Sequence, residues 1–165
     1  MKKILLLFVC LFVCWALFAQ QRIKVACVGN SITYGTGLAD RATQSYPVQL
    51  QKLLGEHYEV ENFGKPGATL LNQGHRPYTR QEEYRKALDF AGDIVVIHLG
   101  INDTDPRDWP NYRDSFVTDY LNLMDTFRKA NPDVRIIIAR MTPIADRHNR
   151  FLSGTRDWHI MPVCS

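Results

Sequence analysis

Short apolar runs alternate with helix-like segments along this chain, and this alternation limits the folds open to it. Four segments have the composition of strands: residues 23–28, 58–63, 93–99 and 134–139. Three segments between them carry apolar residues at helical spacing: 46–54, 81–90 and 116–127. Strands that are unbroken apolar runs and alternate with helices are typical of a parallel sheet covered on both faces. We therefore predict an α/β fold, a three-layer α/β/α sandwich with a doubly wound parallel sheet.

The N-terminal segment has the pattern of a secretory signal peptide. Lys2 and Lys3 precede a run, residues 4–18, that is almost wholly apolar, and Ala19 offers a small residue for cleavage. The run is shorter than the roughly 20 apolar residues of a spanning helix. We expect residues 1–19 to be a signal peptide and the mature domain, residues 20–165, to be secreted or periplasmic. A lipoprotein anchor at Cys14 is the alternative, and no membrane association is expected after cleavage.

Charge and residue types exclude several functions. The whole chain has a net charge of +3, of which Lys2 and Lys3 supply two, and the remaining +1 is too small for nucleic-acid binding. A dinucleotide fingerprint begins at Gly35 but lacks its third glycine, so no cofactor is expected;. Three aspartates, Asp103, Asp105 and Asp108, have no cysteine or histidine cluster beside them, and we predict no metal site;.

A serine turn follows the first apolar run. Gly29-Asn30-Ser31-Ile32-Thr33 sets Ser31 at the carboxyl end of a predicted strand, where ligands bind in open α/β sheets. Gly29 would allow a tight turn there. Ser31 is therefore a candidate nucleophile. In the alternative interpretation, Asn30 and Ser31 only cap the next helix, because both residue types are strong N-caps.

Two further loops leave the same predicted sheet edge. Residues 62–69 follow the second strand, and residues 100–105 follow the third. The backbone N–H of Gly67 and the side-chain amide of Asn102 are donors that could converge above Ser31 as an oxyanion hole. Asn102-Asp103-Thr104 also matches a glycosylation sequon, which requires an accessible side chain and excludes an inward-facing donor.

Together these motifs resemble the first three sequence blocks of the SGNH, or GDSL-like, hydrolases. The resemblance implies a flavodoxin-like fold and a serine ester hydrolase. Ser31 would be the nucleophile, and Ser31 N–H, Gly67 N–H and Asn102 would form the oxyanion hole. Residues 24–158 are similar to secreted sialate or carbohydrate O-acetylesterases, which implies a small-molecule or glycan ester such as an O-acetylated sialic acid. A lysophospholipase or thioesterase of the same superfamily is the alternative.

One block of the family is absent, an Asp and a His three residues apart that would activate the serine. We expect His57 and His75 to be exposed, His98 to be a hydrogen-bonded core residue, and His148 to lie in a solvated loop. Asp157-Trp158-His159 has the wrong spacing. We therefore expect a C-terminally incomplete domain without its last strand and helix, and a non-catalytic carbohydrate-binding fragment is a further alternative.

Polar and aromatic residues in the loops are the predicted substrate contacts. We assign substrate binding to Asn30, Arg76, Asp103 and Trp109. Other predicted members of the rim are His75, Tyr78, Arg80, Arg107, Asp108 and Tyr112. Aromatic surface mixed with hydrogen-bond donors suits a polar or acidic sugar better than a long acyl chain. The oligomeric state is not predicted.

Overall fold

A computed structural model describes residues 21–142. Its strands are β1 (Ile23–Gly29), β2 (Tyr58–Gly64), β3 (Ile94–His98) and β4 (Arg135–Ile138). Its helices are α1 (Ser31–Tyr34), α2 (Arg41–Gln44), α3 (Tyr46–Leu54), α4 (Glu82–Phe90), α5 (Trp109–Tyr112) and α6 (Phe116–Ala130). The predicted signal peptide, His148 and Asp157-Trp158-His159 lie outside the described residues.

The longer helices end where local sequence signals place their termini. Helix α3 has Pro47 in its first turn, and Gly55 ends it with a positive φ of 75°;. The predicted apolar stripe of α6 is buried, and it comprises Phe116, Tyr120, Leu123 and Phe127. Helix α4 begins at Glu82, one residue later than predicted, because Gln81 has extended backbone at the N-cap.

All four strands are parallel, in the order β2-β1-β3-β4. The connection from β1 leads to β2 on one side, and the next connection returns past β1 to β3. The strand order therefore reverses between β1 and β3, the position where doubly wound sheets bind ligands. The predicted parallel α/β fold is confirmed.

Helices cover both faces of β1. Ala26 and Val28 belong to the main core together with Leu123 and Phe127 of α6. Cys27 faces the opposite side, where Tyr46 of α3 is its neighbour. Burial raises the pKa of the Cys27 thiol to about 11;.

Strand β4 does not fit the prediction of a sheet that is covered on both faces. Ile137 is 43% exposed and Ile138 is 37% exposed, because β4 lies at an edge of the sheet formed by residues 21–142. The prediction is wrong for this strand.

Among residues 21–142, no helix has the length and apolar character needed to cross a bilayer.

Candidate active site

The sheet register brings three loops to one level. Gly29 at the end of β1 pairs with Gly64 of β2 on one side and with His98 of β3 on the other. Beyond the sheet, Lys65 N–H donates to the carbonyl oxygen of Gly29 at 2.8 Å. The segments that carry Ser31, Gly67 and Asn102 therefore leave adjacent strands at the same edge.

The structure separates the roles of Asn30 and Ser31. Asn30 is the N-cap of α1, and its Oδ1 accepts the Ile32 N–H at 2.9 Å. Ser31 is the first helical residue and is partly exposed. Within residues 21–142, neither its hydroxyl nor its backbone N–H has a hydrogen-bond partner. The capping interpretation is correct for Asn30 alone, which leaves the Ser31 hydroxyl available for chemistry.

Close packing, and not the predicted tight turn, explains Gly29. The residue lies within β1 and does not have a positive φ. A Cβ atom at this position would overlap Oγ1 of the buried Thr33 and lie 2.8 Å from the carbonyl oxygen of His98. Only glycine lets the first turn of α1 pack this closely against the end of β1.

Gly67 has the backbone geometry that its predicted role requires. Its φ of 78° lies in the left-handed region that favours glycine;. Its N–H has no acceptor within residues 21–142. A Cβ atom here would lie 3.5 Å from Cδ and Nη1 of Arg76, so the Arg76 side chain runs beside this glycine.

Asn102 joins the third loop to the second. Its side chain is buried, with 5% of the residue exposed, and Nδ2 donates to the carbonyl oxygen of Ala68 at 2.9 Å. An amide nitrogen carries two hydrogens, and the second has no acceptor among residues 21–142. The burial of Asn102 contradicts the accessible acceptor that glycosylation would need.

Asp103 strengthens the same connection. Its fully buried carboxylate accepts the Leu70 N–H at 3.0 Å and the Leu71 N–H at 2.7 Å. Burial raises the pKa of Asp103 to about 7, and the two backbone donors oppose this shift;. The carboxylate thus orders the loop beyond Gly67, and a direct contact of Asp103 with substrate stays a prediction.

The predicted rim divides into buried and exposed members. Tyr78 is wrong as a rim residue, because it is fully buried and its hydroxyl donates to the carbonyl oxygen of Phe63 at 2.7 Å. Trp109 is half-buried and packs edge-on against Phe116, with ring centroids 5.5 Å apart. Arg76 is exposed. Substrate contacts of Arg76, Trp109 and the buried Asn30 stay predictions.

The histidines do not all behave as expected. His57 is exposed, as predicted. His98 is buried, and burial lowers its pKa, but its Nε2 has no hydrogen-bond partner in the described part of the chain. The prediction that His98 is hydrogen-bonded is therefore wrong for the described residues. The residue His75 is exposed, as predicted, and its Nδ1 lies 2.6 Å from Oδ2 of Asp108, a contact that was not predicted.

The acidic loop residues have protein partners. Asp105 accepts from Arg107 Nε at 2.8 Å, and this bond holds the pKa of Asp105 well below its ordinary value;. Asp108 is bound to His75. In the stretch from 21 to 142, no group of three or more His, Cys, Asp or Glu side chains is placed to hold a metal ion.

Sequence comparison identifies the family to which this fold and these loops belong. The chain belongs to the GDSL-like lipase/acylhydrolase family, whose model matches residues 27–159. This confirms the resemblance to SGNH hydrolases. An acetylxylan esterase of Xylanibacter ruminicola is 44% identical over 109 residues, which are 66% of this chain and 22% of that protein. The chain thus spans about a fifth of the length of this relative.

Solved structures support the fold. A carbohydrate acetylesterase family member from Sinorhizobium meliloti superposes with a TM-score of 0.63 at 21% identity, covering 83% of this chain and 73% of that chain. A family two carbohydrate esterase from Clostridium thermocellum, solved with cellohexaose, gives 0.55 at 23% identity, covering 74% and 43%. At these identities the likeness establishes a shared architecture.

Two features of the site were missed by the sequence analysis. The His75–Asp108 pair joins residues 33 positions apart, and no spacing rule predicts such a contact. Asn62 Nδ2 donates to the Thr33 carbonyl at 2.8 Å and fastens α1 to β2. Its position at the end of a predicted strand was a signal that could have found it.

Proposed function

We propose that this protein is a serine ester hydrolase that removes acetyl groups from a carbohydrate through a Ser31 acyl-enzyme. The observation that carries the proposal is a set of unpaired groups at one sheet edge. Within residues 21–142, the Ser31 hydroxyl, Ser31 N–H and Gly67 N–H have no partner, and Asn102 retains one amide hydrogen. Hydrogen-bonding groups that have no protein partner there are available to a bound ester.

The proposed reaction has two stages. Ser31 Oγ attacks the ester carbonyl and loses its proton to a base, while the three N–H donors stabilise the oxyanion. The C–O bond to the sugar then breaks, and the sugar hydroxyl leaves with a proton. Water attacks the acyl-enzyme, releases acetate and restores the Ser31 hydroxyl. We assign the base to none of the described residues.

The carbohydrate substrate is supported by the relatives. The sequence relative is named an acetylxylan esterase, and two of the similar structures are named carbohydrate esterases. Acetylated xylo-oligosaccharides are therefore the first substrates to test. O-acetylated sialic acid, expected from the sequence, is the second, and the Arg76 guanidinium beside Gly67 would favour its carboxylate;.

The test compares the whole chain with its Ser31→Ala variant on p-nitrophenyl acetate and acetylated xylotriose. Thr36→Ala is the matched control, because it removes an exposed hydroxyl close to Ser31 in the sequence. We expect Ser31→Ala to lose at least about 10²-fold in rate while Thr36→Ala does not. Equal rates for wild type and Ser31→Ala would contradict the proposal and favour a carbohydrate-binding protein without turnover.

A lysophospholipase or thioesterase would give a different substrate profile. Long-chain acyl esters or acyl thioesters would then be cleaved faster than the acetylated sugars. Preference for acetate esters of sugars is the expected result.

We also propose export, based on the pattern of residues 1–19. Lys2, Lys3 and the apolar run before Ala19 support this proposal;. N-terminal sequencing of protein recovered from the periplasm or medium should begin near Gln20. Recovery in the cytosol with Met1 retained would contradict it.

A further inference from the structure

His75 is held by Asp108 at two points. The His75 backbone N–H donates to Asp108 Oδ1 at 3.0 Å, and His75 Nδ1 lies 2.6 Å from Asp108 Oδ2. Both carboxylate oxygens of Asp108 therefore bind His75, which fixes the position of the His75 backbone and the rotation of its ring. The Asp108 side chain is 2% exposed and the His75 side chain 19% exposed, so the carboxylate is enclosed while part of the imidazole reaches solvent.

This pair lies beside the predicted oxyanion loop. Arg76, the next residue, runs along Gly67, and its carbonyl accepts the Thr69 N–H at 2.9 Å. Asp108 belongs to the loop that follows Asn102. The pair thus joins the segment that continues from the Gly67 loop to the segment that continues from the Asn102 loop.

The contact with Asp108 determines which ring nitrogen of His75 remains available to a ligand. A carboxylate accepts hydrogen bonds, so Nδ1 carries the hydrogen and, in neutral histidine, Nε2 is left as an acceptor. Within residues 21–142, Nε2 has no partner. A bond between two loops alone needs only the Nδ1 side of the ring. An oriented acceptor on a partly exposed side chain matches the hydroxyl groups of a sugar;.

We propose that His75 is a substrate-binding residue whose Nε2 accepts a hydrogen bond from a hydroxyl group of the carbohydrate that carries the ester. Asp108 is its positioning residue. This inference rests on the proposed carbohydrate substrate, and it adds the residue that recognises the sugar part of the ester.

Two substitutions separate sugar binding from a purely structural role. In His75→Asn, the amide nitrogen takes the place of Nδ1 and keeps the bond to Asp108, but nothing replaces Nε2. In His75→Gln, the amide oxygen reaches the place of Nε2 as an acceptor, but the bond to Asp108 is lost. His57→Asn is the matched control, because His57 is exposed and precedes β2, at the opposite end of the sheet.

The first measurement is binding of acetylated xylotriose by calorimetry in the Ser31→Ala background. We expect His75→Asn to weaken binding about five- to tenfold, the effect of one lost hydrogen bond, and His75→Gln to weaken it less. His57→Asn should bind as the parent does. Equal affinity of the His75→Asn and parent proteins, or no saturable binding by the parent, would overturn the inference.

The second measurement needs no change at His75. In Ser31→Ala protein with ¹⁵N-labelled histidine, saturation with acetylated xylotriose should shift the Nε2 resonance of His75 and leave that of His57 in place. An unshifted His75 resonance would overturn the inference even if His75→Asn fails to fold.

Turnover distinguishes this inference from the proposed function. For His75→Asn with Ser31 intact, kcat/KM on acetylated xylotriose should fall about tenfold more than on p-nitrophenyl acetate, which has no sugar. Equal losses on both substrates would overturn the sugar contact. Failure of the proposed function is a separate result, in which wild type and Ser31→Ala hydrolyse both esters equally while the binding and resonance measurements retain their outcomes.

Discussion

The side-chain amide of Asn102 donates a hydrogen bond of 2.9 Å to the carbonyl oxygen of Ala68. Ala68 follows Gly67 directly, so this bond sets the loop after β3 against the loop after β2. One amide hydrogen binds the neighbouring loop, and the other is left for the oxyanion role that we propose.

Replacing Asn102 with Ala should impair turnover more than substrate binding. Loss of one oxyanion donor typically lowers kcat by about 10²- to 10³-fold, and we expect KM to change by less than about threefold. The unpaired Ala68 carbonyl should also cost about 1 to 3 kcal/mol of unfolding free energy. Steady-state kinetics and urea denaturation measure both effects.

Asn72→Ala is the control for this loss of stability. Asn72 Nδ2 donates to Asp119 Oδ1 at 2.8 Å, a bond that involves none of the predicted donors. It should destabilise the fold to a similar extent and retain kcat. A kcat reduced equally by both substitutions would contradict an oxyanion role for Asn102.

Substitution of Asn30 should lower the free energy of unfolding, whereas substitution of Ser31 should leave it nearly unchanged. Asn30 caps α1, so Asn30→Ala should lower the free energy of unfolding by about 1 kcal/mol. Ser31→Ala removes a hydroxyl with no partner among the described residues, and the free energy of unfolding should change by less than about 0.5 kcal/mol. Urea denaturation checks both values. A larger loss in Ser31→Ala would show that its hydroxyl supports the fold.

A methyl group at Gly29 should destabilise the end of β1. Gly29→Ala would overlap Thr33 Oγ1 and crowd the carbonyl oxygen of His98, and such overpacking costs about 1 to 3 kcal/mol. Thermal unfolding measures the loss. The double variant Gly29→Ala/Thr33→Ala removes Oγ1, the atom closest to the added methyl group, and should recover part of the loss although Cβ of residue 33 stays 2.8 Å away;. Strictly additive losses would show that Thr33 is not the obstacle.

The buried carboxyl of Asp103 should make stability depend on pH. Its folded-state pKa of about 7 lies above the ordinary value of 3.8, so between these values the folded state holds a proton that the unfolded chain has released. Its contribution to stability is complete below the ordinary pKa and is lost as pH rises through about 7. From pH 4.5 to 8, wild type should lose about 2 to 3 kcal/mol more unfolding free energy than Asp103→Asn.

Urea denaturation at several pH values tests this dependence. The Asp103→Asn variant is the control, because its amide does not titrate in this range. A difference between the two proteins that stays constant with pH would contradict the raised pKa.

The sequence was a reliable guide wherever the signal was local. Helix α3 was predicted with both of its termini, since Gly55 ends it and its apolar residues have helical spacing. The apolar runs of β1 and β3 predicted strands, and parallel strands bring their carboxyl ends to one edge. The meeting of the Ser31, Gly67 and Asn102 loops followed from that regularity.

Prediction failed where a residue's role depends on distant neighbours. Tyr78 combines an aromatic ring with a hydroxyl group, as a rim residue would. Its ring is enclosed in the core, however, and its hydroxyl donates to the carbonyl oxygen of Phe63. His75 is exposed as predicted, but its contact with Asp108 was not predicted. Nothing in the flanking sequence of either residue encodes these contacts.

The sequence by itself thus determined the α/β class, the family and the three segments at the site, because hydrophobic period and short motifs are properties of neighbouring residues. The tertiary structure alone decided that Asn30 is the cap while Ser31 is left unpaired, that Asp103 is enclosed against Leu70 and Leu71, and that Asp108 orients His75. The contacts of Asp103 and Asp108 depend on strand register and loop path, which bring together groups that lie more than 30 residues apart in the chain.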